Sequence, residues 1–193
     1  MLSALRLPLA VDVSALAADV AGLRPDDWVP HFNDRYYEGD WSGAALRAIG
    51  GDASQIHPDP SRTDFGDTEV LARCPGATRL LDSLGSPALS ARFLRLGPGS
   101  RIREHTDYNL SFEDGEVRLH MPVSSSADVE FHLDGELVEM APGECWYLNV
   151  NLPHRVRNAG SSPRVHLVVD VVVDEWLRDL VERAQVSASR DPS

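Results

Sequence analysis

Several things are scarce in this chain, and each scarcity closes off a class of protein. Only two cysteines, Cys74 and Cys145, occur in 193 residues. That is too few for a disulfide framework and fits a reducing compartment in which both thiols stay free as packing residues. Positive charge is short as well: 18 Lys and Arg against 30 Asp and Glu leave a formal net charge of −12. Phosphate-backbone binding needs a basic footprint, so no nucleic acid partner is expected, and the charge reads as a solubility device. No apolar run reaches the roughly 18 residues of a membrane helix, and residues 1–10, with Arg6 and Pro8, lack the apolar stretch of a secretory signal. We therefore expect a cytoplasmic protein with no membrane association.

What is present, 42% apolar residues, suffices for one sizeable core, and a chain of this length makes one domain by the usual prior. The expectation is a single domain over residues 1–186 and a disordered polar tail over 187–193. Val13 to Leu23 carries Leu16, Val20 and Leu23 at helical spacing, with Asp12 or Ser14 placed to cap its start. Residues 50–67 hold Gly50, Gly51, Pro58, Pro60 and Gly66 with few apolar residues, which marks a long mobile loop of the kind that serves as a lid. A short amphipathic helix is expected from Ala77 to Leu84. From Ala88 the chain reads as nearly all β, with strands at Ala88–Leu96, Val117–Val123, Val129–Leu133, Glu136–Met140, Cys145–Leu148, His154–Val156 and Val165–Val173. Asp134-Gly135 makes a hairpin turn between two of these strands, and Trp176 to Ala184 reads as a closing helix. Short strands at this spacing suggest a barrel or jelly roll, so the fold expected is mainly β, a double-stranded β-helix with its core at about residues 88–174 and a few flanking helices.

His105, Asp107 and His154 together read as a metal site. Two histidines and one carboxylate on one face of a metal leave about three positions open, the ligand set of non-haem Fe(II) oxygenases. On a β-strand, His105 and Asp107 would point to the same face, with roughly 7 Å of backbone between them. His154 lies 47 residues beyond Asp107, too far for a local clip, so the fold must bring a second strand alongside. Pro98-Gly99 before the pair and Pro153 before His154 put the three ligands at strand edges or turns.

The segment Leu96 to Asp107, the run Arg118-x-His120-Met121-Pro122, Pro142 to Asn149 and Leu152 to Asn158 resemble the aspartyl/asparaginyl β-hydroxylase family, over about Trp28 to Asp174. That family comprises Fe(II)- and 2-oxoglutarate-dependent oxygenases, and the bacterial proline hydroxylases are similar to it. The resemblance implies a cupin-like barrel, Fe(II), 2-oxoglutarate and O2 as metal, cosubstrate and oxidant, and an amino-acid substrate, free or within a peptide or carrier-bound intermediate, so that a carrier-protein partner is possible. It also gives roles to residues outside the triad. A cation must hold the far carboxylate of 2-oxoglutarate, and the planar fork of Arg matches a carboxylate; Arg164, ten residues beyond His154, stands at the family's spacing for it. Arg118 and His120 match the family's Arg-x-His pair, which contacts cosubstrate or substrate carboxylate, and burying them together is costly without an anion. The aromatic stretch from Trp28 to Gly43 lies beside the site in the family, which makes Trp28, His31, Asn33, Tyr37 and Trp41 substrate-contact candidates.

This chain departs from the family in two ways. Vertebrate members have Gly where Asp107 stands, so the full triad here is closer to the bacterial amino-acid hydroxylases. The family's hydroxyl residue eleven positions before the first His is replaced by Leu94, so that contact falls elsewhere, Arg118 being one candidate. Arg155 and Arg157 alternate against His154 and Val156, which sends at least one of them to the surface. His57, His132 and His166 read as structural or solvated. Two readings from other classes stay open: a cupin-like module that holds Zn or Ni as a structural or sensing site, and a cupin enzyme that works without 2-oxoglutarate.

Overall fold

The computed structural model describes residues 2–57 and 62–190, the side chains of 188–190 apart. Among the described residues, thirteen strands and three α-helices follow in chain order. The strands are β1 (Ala4–Leu7), β2 (Val29–Pro30), β3 (Tyr37–Glu38), β4 (Trp41–Ile49), β5 (Phe65–Asp67), β6 (Ala88–Leu96), β7 (Arg101–His105), β8 (Glu116–Ser124), β9 (Val129–Leu133), β10 (Glu136–Leu137), β11 (Cys145–Leu148), β12 (His154–Asn158) and β13 (Arg164–Val172). The helices are α1 (Val13–Gly22), α2 (Pro75–Ser83) and α3 (Glu175–Arg190). One sheet has eight strands in the order β1-β11-β8-β13-β6-β4-β2, with β5 on the flank of β4; the other has five in the order β10-β9-β12-β7-β3. Every pairing is antiparallel. The two sheets form the jelly roll of the double-stranded β-helix.

The larger sheet is buried on both faces, and its strands sort their residues by parity. Odd positions of β13 (Val165, Leu167, Val169, Val171) join those of β8 (Val117, Leu119, Met121, Val123) and of β6 (Ala91, Phe93) in one apolar core, completed by Leu16 of α1, Ala77 and Leu80 of α2, and Leu177 and Leu180 of α3. The buried polar residues of the same three strands all fall at even positions: Arg164, His166 and Asp170, then Arg118 and His120, then Ser90 and Arg92. The second apolar cluster draws on both sheets, with Trp41, Leu96 and Leu148 from one and Ile102, Phe131, Leu133 and Val156 from the other. Helices thus cover one face, and the polar residues sit on the other, which looks toward the second sheet.

Local signals place most elements. Asp12 accepts a hydrogen bond from the Ala15 amide at the start of α1, and Pro75 opens α2, where its missing N–H costs nothing. Asp134 (φ 52) and Gly135 (φ 85) both take positive φ, the turn type that matches strand twist in a two-residue hairpin. Arg155 and Arg157 both face solvent. Some boundaries differ from expectation. β10 stops at Leu137, and Phe65–Asp67 in the expected loop pairs with β4, while residues 58–61 of that loop lie outside the described residues. α3 continues to Arg190, into the stretch expected to be a disordered tail; 191–193 lie outside the described residues. No described helix is long and apolar enough to cross a membrane.

Candidate metal centre

β7 and β12 run antiparallel with His105 directly opposite His154. The register carries an irregularity: Ile102 opposes Val156, so β7 takes three steps where β12 takes two. The extra residue inverts the parity of β7, and both Ile102 and His105 therefore face the interior. Asp107 is not on the strand with His105, contrary to the same-face reading; β7 ends at His105. The position of Asp107 is set by its own amide, which donates to the Val150 carbonyl at 2.9 Å. The ligand atoms of His105, Asp107 and His154 all lie within 4.8 Å of one another.

Each imidazole is oriented by a carbonyl. His105 Nδ1 lies 2.8 Å from the Arg103 carbonyl oxygen, and His154 Nδ1 lies 3.0 Å from that of Leu152. A carbonyl can only accept, so Nδ1 carries the proton in both rings and Nε2 keeps a free lone pair, the arrangement that metal-binding histidines use. Burial pushes His154 down to about 4, helped by the nearby His105, which keeps its ring neutral and ready to ligate at neutral pH. Burial raises the Asp107 carboxyl, but the Arg118 charge and the two histidines outweigh it and hold it below the ordinary range. Arg118 NH1 donates to Asp107 Oδ2, while Oδ1 stands 4.0 Å from His105 Nε2. Two imidazoles and one carboxylate form a donor set that suits a divalent transition metal.

Arg118, expected to meet a cosubstrate or substrate carboxylate, has its guanidinium nitrogens on carboxylates of the protein itself. Its Nε and NH2 donate to Asp170 at 2.7 and 3.0 Å, and NH1 is taken by Asp107. Arg164 is placed differently. It is 3% exposed, no carboxylate pairs with it among the described residues, and Nε has no partner. NH2 meets His166 Nδ1 at 2.8 Å, where the arginine donates and His166 must accept. Burial pushes Arg164 down to about 9, so it stays cationic at neutral pH. His120 lies near it with both ring nitrogens buried and unpartnered, its ring 5.9 Å from His166 and 5.9 Å from Phe131. Phe131 in turn stacks parallel to His154 at 6.1 Å. A buried cation without a counter-ion, beside an imidazole without partners, is costly unless an anion is bound there.

The aromatic segment is only partly at the centre. His31 stacks on Trp41 at 3.7 Å, Tyr37 meets the edge of Trp41 at 5.7 Å, and the Trp41 ring is 6.3 Å from His105. Trp28 instead lies under the Arg95 guanidinium and packs on the helix-side core, and the Asn33 side chain caps the turn at Arg35. Tyr36 was not among the substrate-contact candidates, and His57 was read as structural or solvated. Tyr36 stacks on His105 at 5.4 Å. His57 meets the edges of His31 at 4.3 Å and Phe32 at 4.7 Å, and its Nε2, like Trp41 Nε1, is buried without a partner. His166, read as structural or solvated, is buried against Arg164, and Asp170 went unremarked, although each is a polar residue in a mostly apolar strand, a pattern that demands a buried partner. A depression of about 480 Å³ between Ser3, Leu133, Glu136 and Trp146 shares no residue with the triad.

The profile of a family described as Aspartyl/Asparaginyl beta-hydroxylase matches residues 12–173. Among curated proteins, an L-proline cis-4-hydroxylase of Rhizobium meliloti (strain 1021) is 25% identical over 165 residues, which make up 82% of this chain and 57% of that protein. The chain thus spans little more than half the length of this relative. Among solved structures, a prolyl-4-hydroxylase of Pseudomonas putida superposes with a TM-score of 0.53 at 16% identity, over 89% of this chain and 93% of that one. An oxidoreductase of the 2OG-Fe(II) oxygenase family from Burkholderia pseudomallei gives 0.51 at 17% identity, over 86% and 80%. At such identities the structural likeness speaks for the fold.

Proposed function

The chain belongs to the aspartyl/asparaginyl β-hydroxylase family, and from that premise we propose that it is an Fe(II)- and 2-oxoglutarate-dependent dioxygenase. Its substrate is an amino acid, free or within a peptide or carrier-bound intermediate, hydroxylated at an unactivated C–H bond. The observation that carries this reading is Arg164, a buried guanidinium with no carboxylate partner among the described residues, in the same barrel as a histidine–carboxylate cluster able to hold a metal. A metal-binding module would have no use for that unneutralised cation; a dicarboxylate cosubstrate supplies its missing charge.

His105 and His154 offer Nε2, and Asp107 offers Oδ1, to the metal. Fe(II) with 2-oxoglutarate and O2 supplies the oxidising power, one oxygen atom entering the substrate and the other leaving in succinate as CO2 is released. Arg164 binds the far carboxylate as a fork, His166 holds that fork in place through Nδ1, and His120 has two unused ring nitrogens to offer the same ligand. His120 thereby covers for the hydroxyl residue that Leu94 replaces. Trp41, His31 and Tyr37 wall the substrate side beside His105 and exclude water, with Trp41 Nε1 and His57 Nε2 free to meet its polar groups.

The test is a titration of 2-oxoglutarate into Mn(II)-loaded protein, followed by measurement of succinate formed under O2 with Fe(II) and a panel of amino acids and peptides. Saturable binding that is lost in Arg164→Met, and succinate formation that is lost in His154→Ala, support the proposal. Tight metal binding with no 2-oxoglutarate affinity would leave the metal-binding module in its place.

A further inference from the structure

Asp170 is the one carboxylate in β13, and it is 3% exposed. Its place is fixed by register: it faces Ser90 across β6 and Arg118 across β8. Ser90 Oγ donates to Oδ2 at 2.7 Å, Arg92 NH1 reaches the same oxygen at 3.3 Å, and Arg118 grips both oxygens through Nε and NH2. A guanidinium is planar and its donors are fixed relative to one another. With two nitrogens locked on Asp170, the direction of the third is no longer free, and that third nitrogen, NH1, donates to Asp107 Oδ2. Asp107 is left with one oxygen, Oδ1, on the side of His105.

Charge follows the same line. Arg92, Arg118, Asp170 and Asp107 form a continuous ion-paired chain in which two positive and two negative groups cancel. Without the Asp170 charge, the chain carries a net positive charge next to a site for a divalent cation, and Arg118 is left with Asp107 as its counter-ion, in direct competition with the metal. We propose that Asp170 is a positioning residue of the metal centre: through Arg118 it orients Asp107 to present a single oxygen, and it neutralises the arginine so that this carboxylate remains available to the cation. The proposal rests on the reading of His105, Asp107 and His154 as a metal centre.

The experiment is Co(II) binding to the full chain, by calorimetry and by the visible ligand-field bands, for the native protein, Asp170→Asn, Arg118→Met and the double variant, each checked for folding by thermal melt. Loss of a partner behind a metal ligand typically weakens metal binding about 10–100-fold, and that is the loss expected for Asp170→Asn, with altered ligand-field bands. Since Asp170 acts through Arg118, adding Asp170→Asn to Arg118→Met weakens Co(II) binding no further. Should Asp170→Asn fail to fold, Arg118→Lys answers the same question, because a lysine keeps the charge but cannot span both carboxylates; about a tenfold or greater weakening is expected there too. Native affinity and bands in a folded Asp170→Asn or Arg118→Lys protein overturn the positioning role alone, as does an Asp170→Asn effect that persists undiminished without Arg118. If the native protein itself binds no divalent metal, the metal-centre reading falls, and the positioning role with it.

Discussion

Replacing Arg164 by Met removes a charge that folding buries without a counter-ion, and the result should oppose the usual outcome of deleting a buried polar side chain. Burial pushes the guanidinium down to about 9, roughly 3.5 units below an ordinary arginine. At about 1.36 kcal/mol per unit, keeping it charged inside the folded protein costs at most about 5 kcal/mol at neutral pH. The substitution also strips His166 Nδ1 of its donor, and an unmet buried polar group costs about 1–3 kcal/mol. The difference favours the Met variant by roughly 2–4 kcal/mol, and each kcal/mol moves the melting temperature of a protein this size by about 2–4 °C. Without ligand, then, Arg164→Met melts several degrees above the native protein. With 2-oxoglutarate the order reverses its meaning: at about 100 times Kd a ligand adds roughly 2.7 kcal/mol, so the native protein gains several degrees and the variant gains none. Differential scanning fluorimetry of Mn(II)-loaded protein, with and without 2-oxoglutarate, reads both effects. A variant that melts well below the native protein would refute the claim that this charge is uncompensated, and a full 2-oxoglutarate shift in the variant would refute the assignment of its anion.

Further outcomes follow from the same structure. His105→Ala and His154→Ala each remove one of the nitrogen donors and should weaken Co(II) binding at least about 100-fold by calorimetry, since both the ligand and its orientation by a carbonyl are lost. Burial lowers His31 to about 4, His57 to about 3 and His154 to about 4, and sends His120 and His166 well below 6.5. These rings stay neutral in the folded state while the unfolded chain takes up protons from about 6.5 downward, so their contribution to stability is full above that pH and is lost as pH falls toward 4. Each contributes about 1.4 kcal/mol per pH unit inside that window, and the urea midpoint should drop steeply between pH 6.5 and 5; a flat profile would contradict the buried neutral assignment. Gly135 sits at φ +85 in the β9–β10 hairpin, so Gly135→Ala should cost about 1 kcal/mol, a fall of roughly 2–4 °C in melting temperature. Trp41→Ala removes the ring that His31 stacks on and Tyr37 abuts and should raise KM for the amino-acid substrate far more than KM for 2-oxoglutarate, as steady-state kinetics would read.

Much of the strand layout was legible because it depends on local chemistry. Asp134-Gly135 admits the positive φ of a tight hairpin, and β9 and β11 begin and end where the alternating stretch Val129–Leu133 and the apolar run Cys145–Leu148 do. β4 was not legible, because Gly43 to Ala48 mixes small residues with Leu46 and Arg47 and strand pairing on both sides, rather than intrinsic preference, makes it a strand. The end of α3 was missed for the converse reason: Ser187 is polar, yet the helix runs on past it.

The candidate site divides the same way. By itself the sequence determined which residues could hold a metal, since two histidines and a carboxylate offer the right donors, and it placed an arginine, Arg164, at the start of the last strand. Tertiary structure alone decided what each charged group does. Arg118 and Arg164 carry the same side chain at the same parity on neighbouring strands, but Asp170 lies opposite one and Leu96 opposite the other. Cross-strand register, which depends on how the whole sheet packs, gave Arg118 its carboxylates and left Arg164 buried with no carboxylate partner among the described residues.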